Sequence, residues 1–117
     1  MTDDIIFHLV TASDWKSNQD AGLYKPESLA EEGFIHCSTG QQVQEIANAQ
    51  FRGESDLLLI VIDVASLESD LKMEQADDRD EIFPHIKGPL NIDAVIDKIK
   101  LEPEEDGSFF IRFDARE

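Results

Sequence analysis

The sequence predicts an α+β domain of about six strands and two helices, on three observations. "DLLLIVIDV" is an apolar run of strand length with no helical spacing. "TASDW" and "TGQQV" each pair a capping threonine with a polar residue three positions on, the signature of a helix start. "EEDGS" carries an Asp-Gly hairpin signal next to the apolar "FFIRF".

In chain order, "DDIIFHLV" gives a buried strand over Ile5–Val10 with His8 inside it. Thr11 and Asp14 open a short helix predicted to run through Asp20 and stop at Gly22, with Ala12 and Trp15 facing the core. "LYKPESLAEEG" reads as irregular because Pro26 interrupts it. "GFIHCS" is a second short strand, and Thr39 with Gln42 caps the helix that carries Val43, Ile46, Ala47 and Phe51 on one face. "DLLLIVIDV" is the central strand, and "LKMEQA" alternates as a half-exposed strand does. "DDRDEIFPHIKGPLNID" reads as a second irregular region, with Pro84 and Pro89 framing His85. "AVIDKIKLE" begins apolar and then alternates, which reads as mainly a strand entered by a turn at Asn91-Ile92-Asp93 with a helix as the alternative, and "FFIRF" is the last strand.

The chain of 117 residues suits one domain, residues 1–117, with one core. A net charge of −16, with ten basic residues against twenty-six acidic ones, argues against a nucleic-acid polymer as partner. No apolar run reaches the roughly 20 residues that span a bilayer, so no membrane association is expected. The acidic start "MTDDII" lacks the basic region of a secretory signal, and a single cysteine allows no internal disulfide. These features predict a soluble cytoplasmic protein.

The functional question sits in "EEGFIHCSTGQQVQEI", where His36, Cys37, Ser38 and Thr39 follow one another at the end of a strand. A metal site is one answer, but His8, His36 and His85 are far apart in sequence, and adjacent strand residues His36 and Cys37 face opposite ways. A covalent nucleophile at Cys37 is a second, with His8 or His85 as base. The third fits the local pattern best: a small-ligand cleft with His36 and Ser38 on its wall and a helix N-terminus beside them. Tyr24 would supply a ring and Ser28 a hydroxyl. The acidic group Asp77, Asp78, Asp80 and Glu81 lacks the spacing of a calcium loop and reads as solvated.

"IFHLVTASDW", "GLYKPESLAEEGFIHCSTGQQV" and "FPHIKGPLNIDAV" resemble the signature blocks of the bacterial domain-of-unknown-function family 952 over Ile5 to about Ile99. Lys87 stands where that family often has an aromatic residue. The family is grouped with the ADP-ribosyltransferase-like superfamily, whose members bind NAD in the cleft of a split β-sheet. The resemblance therefore implies an ADP-ribosyltransferase-like split sheet, and His8 and His36 as candidate catalytic residues, with His8 holding ribose hydroxyls. NAD would be a ligand or substrate; no other cofactor and no metal ligand is expected. Trp15 and Tyr24 would shape the apolar side, Ser28 and Ser38 would bind polar groups, and His85 would close over the ligand from its loop. The late glutamate of many transferases has no clear counterpart, Glu74 being the nearest strand acid. ADP-ribosyl or ribosyl-phosphate transfer is the leading expectation. A non-catalytic sensor or interaction module, and a metal-dependent hydrolase using the three histidines, are the alternatives.

Overall fold

The computed structural model describes residues 5–75 and 81–111. The α+β class is as expected, with nine strands and three α-helices among the described residues. The order is β1 (Ile5–Thr11), α1 (Ala12–Ser17), β2 (Gln19–Asp20), β3 (Leu23–Tyr24), α2 (Glu27–Glu32), β4 (Ile35–His36), α3 (Val43–Gln50), β5 (Leu57–Asp63), β6 (Leu71–Gln75), β7 (Ile82–Ile86), β8 (Leu90–Asn91) and β9 (Val95–Leu101). They form three antiparallel sheets, ordered β1-β5-β9, β2-β3-β8 and β4-β7-β6. No helix among the described residues is long and apolar enough to cross a membrane.

β5 is the central strand its composition demands, paired on both edges and buried on both faces. The pleat of β1 divides the core in two. Phe7 and Leu9 face α3 through Val43 and Ala47, with Leu57, Leu59, Leu101 and Phe109. Ile6 and Val10 face the other way, onto Trp15, Tyr24, Ile35, Ile60, Ile86 and Leu90. His8 shares that second face.

Several elements differ from expectation, each for a local reason. α3 starts at Val43 with Gln42 at its N-cap and no side-chain cap bond, so Thr39 does not cap it. α1 ends at Ser17, because Gln19–Asp20 and Leu23–Tyr24 pair across a two-residue turn. Both turn residues, Ala21 and Gly22, have positive φ (54° and 81°), as a primed hairpin turn requires. Gly22 thus serves the hairpin rather than stopping a helix. Pro26 does not keep its neighbourhood irregular, since it stands just before the first turn of α2, where a missing N–H costs nothing. α2 ends at Gly33, whose φ of 88° lets its N–H reach the Leu29 carbonyl at 3.0 Å.

β7 is the largest departure: "IFPHI" is a buried strand, not a loop. The proline is tolerated because of where it lies. The β4–β7 ladder ends at the His36–His85 pair, where Cys37 N–H donates to the Pro84 carbonyl at 3.1 Å. Pro84 has no N–H to return, so pairing stops there and the chain is released toward β1.

The expected last strand is absent from the ladders as far as the described residues go; residues 112–117 lie outside them, as do Asp77, Asp78 and Asp80. The turn at "EEDGS" forms, with Gly107 N–H donating to the Glu104 carbonyl at 2.8 Å. Beyond it, side chains of α3 take the place of a neighbouring strand. Asn48 Oδ1 accepts from Phe109 N–H at 2.6 Å and its Nδ2 donates to the Phe109 carbonyl at 3.1 Å. Gln44 Oε1 accepts from Ile111 N–H at 2.8 Å.

Asn48→Ala leaves both polar groups of the Phe109 backbone without these partners. It is expected to destabilise the domain by about 2 kcal/mol, read as a lower midpoint in urea unfolding, whereas an exposed change such as Gln41→Ala should leave the midpoint in place.

Candidate functional site

Among the described residues, backbone hydrogen bonds join the β1 and β4 sheets at a single pair, Phe7 and Ser38, which exchange bonds of 2.8 and 2.7 Å. The next link is made by a side chain. His8 Nδ1–H donates to the His36 carbonyl at 2.6 Å, which fixes the tautomer and leaves Nε2 to accept from the Tyr24 hydroxyl at 2.7 Å. Burial pushes the His8 pKa down to about 4, the dominant cause, against the opposing effect of the His36 carbonyl. Burial likewise raises the Tyr24 hydroxyl, so it stays a donor.

Beside this junction lies a cleft of about 1000 Å³. Its histidine-bearing wall is one face of β4 and β7. Strand alternation puts Phe34, His36 and Ser38 on the same side, and the register sets His36 directly opposite His85. Phe34 stacks on His85 with ring centroids 4.0 Å apart and planes 12° apart, and His36 stands edge-on to both rings at 4.7 and 5.6 Å. Ser28 Oγ donates to the Phe34 carbonyl at 2.9 Å, tying the turn after α2 to its own helix.

From β6, Glu74 reaches this wall. Its Oε1 accepts from His85 Nδ1 at 2.8 Å, and Lys87 Nζ donates to both carboxylate oxygens at 3.0 and 3.2 Å. These hydrogen bonds, that from His85 first, hold the Glu74 carboxyl below its usual range. His36 Nε2 is 3.3 Å from Glu32 Oε1. Phe51, Phe83, Ile46, Gln50 and Gln75 complete the cleft, and no lysine or arginine lines it among the described residues.

The structure brings His36, Ser38 and His85 together on the cleft, with His8 behind the junction. It does not bring Trp15 there: that side chain is buried against Tyr24, centroids 4.6 Å apart. Tyr24 is 1% exposed and its hydroxyl is committed to His8. Tyr24 and Ser28 border a smaller cavity of about 370 Å³ that shares His8, Leu9 and Phe51 with the main cleft. His85 sits in β7 rather than on a loop, 4% exposed. The helix N-terminus after Ser38 is less open than its sequence suggests, because Ser38 N–H is given to the Phe7 carbonyl and Thr39 N–H to Gln42 Oε1 at 3.0 Å.

Among the described residues, no group of three or more His, Cys, Asp or Glu is arranged to hold a metal ion. Both ring nitrogens of His8 are committed to other partners, which removes it as a ligand. Cys37 points away from His36 into the core beside Ile35 and Ile86, and burial pushes its thiol well above the usual range, so it is neutral there. Sequence reasoning missed Phe34, although alternation about His36 would have placed it. It passed over Glu74, because the pairing of β6 with β7 leaves no local trace.

The family model described as "Protein of unknown function (DUF952)" matches residues 9–98. The chain belongs to this family. The crystal structure of protein CC0527 from Caulobacter crescentus is similar at 30% identity and a TM-score of 0.79, covering 91% of this chain and 93% of that one. The solution structure of CC0527 gives 30% identity, a TM-score of 0.75 and coverage of 90% of each chain. Among curated proteins none matches. Thus His36, Ser38, Glu74 and His85 of the cleft lie within the residues that match this DUF952 family.

The His8 junction carries a pH dependence. Its folded pKa lies below the unfolded value of 6.5, so folding favours the neutral ring; stability is complete above about pH 6.5 and falls as pH drops toward 4, by on the order of 3 kcal/mol. Tyr24→Phe removes the donor to Nε2 and should cost about 1–3 kcal/mol at neutral pH. His8→Gln should flatten the dependence between those two pH values, as measured by urea unfolding of wild type and variant side by side.

Proposed function

We propose that the cleft between the β1 and β4 sheets binds a ribosyl-bearing, nucleotide-like or NAD-like ligand, and that the protein is a ribosyl or ADP-ribosyl transferase. The observation that carries the reading is the convergence of Phe34, His36, Ser38 and the His85–Glu74 pair on one face of a cleft of about 1000 Å³. That volume suits a mononucleotide-sized ligand. Imidazole and carboxylate edges recognise sugar hydroxyls, and Phe34, Phe51 and Phe83 supply apolar contact for a planar base. The grouping of the domain-of-unknown-function family 952 with the ADP-ribosyltransferase-like superfamily supports the same ligand class.

The charge of the cleft refines the pose. Glu32 and Glu74 stand on its wall, and Lys87, 5.0 Å from the Phe34 ring centroid, is committed to both oxygens of Glu74, so sugar and base bind inside while phosphates point to solvent. Affinity for adenosine should therefore equal or exceed that for AMP.

An amide-shift NMR titration with NAD, ADP-ribose, AMP and adenosine tests this. Shifts clustered at Phe34, His36, Ser38, Glu74 and His85 are expected. Flat spectra at millimolar concentration of all four would remove the reading. His36 is 56% exposed at its side chain, so His36→Ala creates no core cavity. That variant should stay folded and lose the shifts; if it unfolds instead, the residue is structural and its assignment to the site fails.

A further inference from the structure

We propose that His85 is the general base of this cleft, held in one tautomer by Glu74, and that it deprotonates a hydroxyl attacking the glycosidic carbon of a bound ribosyl donor. The proposal rests on the ligand reading above and extends it to a proton-transfer residue and a reaction class.

Two histidines of this protein are almost equally buried, and they are wired differently. His8 has both nitrogens satisfied, one by a carbonyl and one by a hydroxyl, as a structural imidazole does. His85 has Nδ1 on Glu74 Oε1, while its Nε2 has no hydrogen-bond partner among the described residues. No sealed-in side-chain nitrogen or oxygen is left unpaired among them, so Nε2 must open on the cleft that His85 lines. A carboxylate on Nδ1–H leaves the Nε2 lone pair facing the ligand and stabilises the imidazolium once a proton arrives. Phe34 stacked at 4.0 Å fixes the plane of the ring. Lys87 clamps both oxygens of Glu74 and so fixes the positioning residue itself.

Electrostatics selects the reaction class. Acyl and phosphoryl transfer build negative charge on oxygen and need donors aimed at it. Here the Ser38 and Thr39 N–H groups are already used, and Lys87 is committed to both oxygens of Glu74. Glycosyl transfer builds positive charge on the sugar, which the Glu32 carboxylate on the wall favours. The bookkeeping with water as the simplest acceptor is complete. The water oxygen forms the new bond to the anomeric carbon. The C–N glycosidic bond breaks and its electron pair leaves on the pyridine-type nitrogen. The water proton ends on His85 Nε2 and passes from there to solvent.

The charged groups around His85 are Glu74 and Lys72 on β6, Lys87 just past β7 and His36 on β4. Nicotinamide release from NAD, followed by proton NMR in the titration samples, reads the proposal directly. Wild type should release nicotinamide. At saturating NAD, His85→Asn should turn over about 100-fold more slowly. Glu74→Gln, a change at a half-exposed position, should lower kcat at saturating NAD, and Glu74→Asp should restore part of it, a rescue that lost packing would not produce. NAD shifts without any release from wild type would overturn the catalytic assignment and leave the binding site standing. An unchanged kcat in Glu74→Gln would overturn the positioning role. Absence of NAD shifts would overturn the ligand reading itself.

Discussion

The His8 imidazole is the constraint on which the rest of the structure depends. It stands on β1 of the first sheet, donates to β4 of the third and accepts from β3 of the second, so one neutral ring ties all three sheets together. A charged ring could not do this, because it would have two donors and no acceptor for the Tyr24 hydroxyl. The low pKa of His8 and the raised pKa of Tyr24 follow from the same burial, and each protects the other's role. Only a side chain could make this link, since backbone pairing between β1 and β4 is limited to Phe7 and Ser38.

Why that pairing is so short follows from a second local fact. Pro84 ends the β4–β7 ladder by failing to donate, and the chain at Cys37–Ser38 changes partner from β7 to β1. Where one strand serves two sheets in turn, the sheets diverge beyond it, and the face that His36 shares with His85 is left open. The cleft is thus a product of strand pairing rather than of a mobile loop, which is why its side chains hold such close mutual geometry.

Much of this was legible in the sequence, and what was not has physical reasons. The apolar strands β1 and β5, the Thr11 cap and the strand at β9 are local patterns, and local patterns can be read from sequence. Pro26 and Pro84 read as breakers in sequence, yet Pro26 stands at a helix start where no N–H is required and Pro84 at the end of a ladder, which only the partner elements reveal. Tyr24 looked like a free ring because its burial comes from Trp15 and Leu90, neither adjacent to it in sequence. Glu74 was unremarkable until the register of β6 on β7 set it against His85. Family membership, by contrast, was carried by blocks that the sequence displays openly.

The His8–His36 link has one more consequence. It uses the carbonyl of residue 36 and nothing of its ring, so the architecture is indifferent to which side chain stands there. Fold and chemistry are thereby separable at this position. Within such a scaffold, ligand preference can drift through replacement of a single outward-facing group while the junction beneath it is inherited intact.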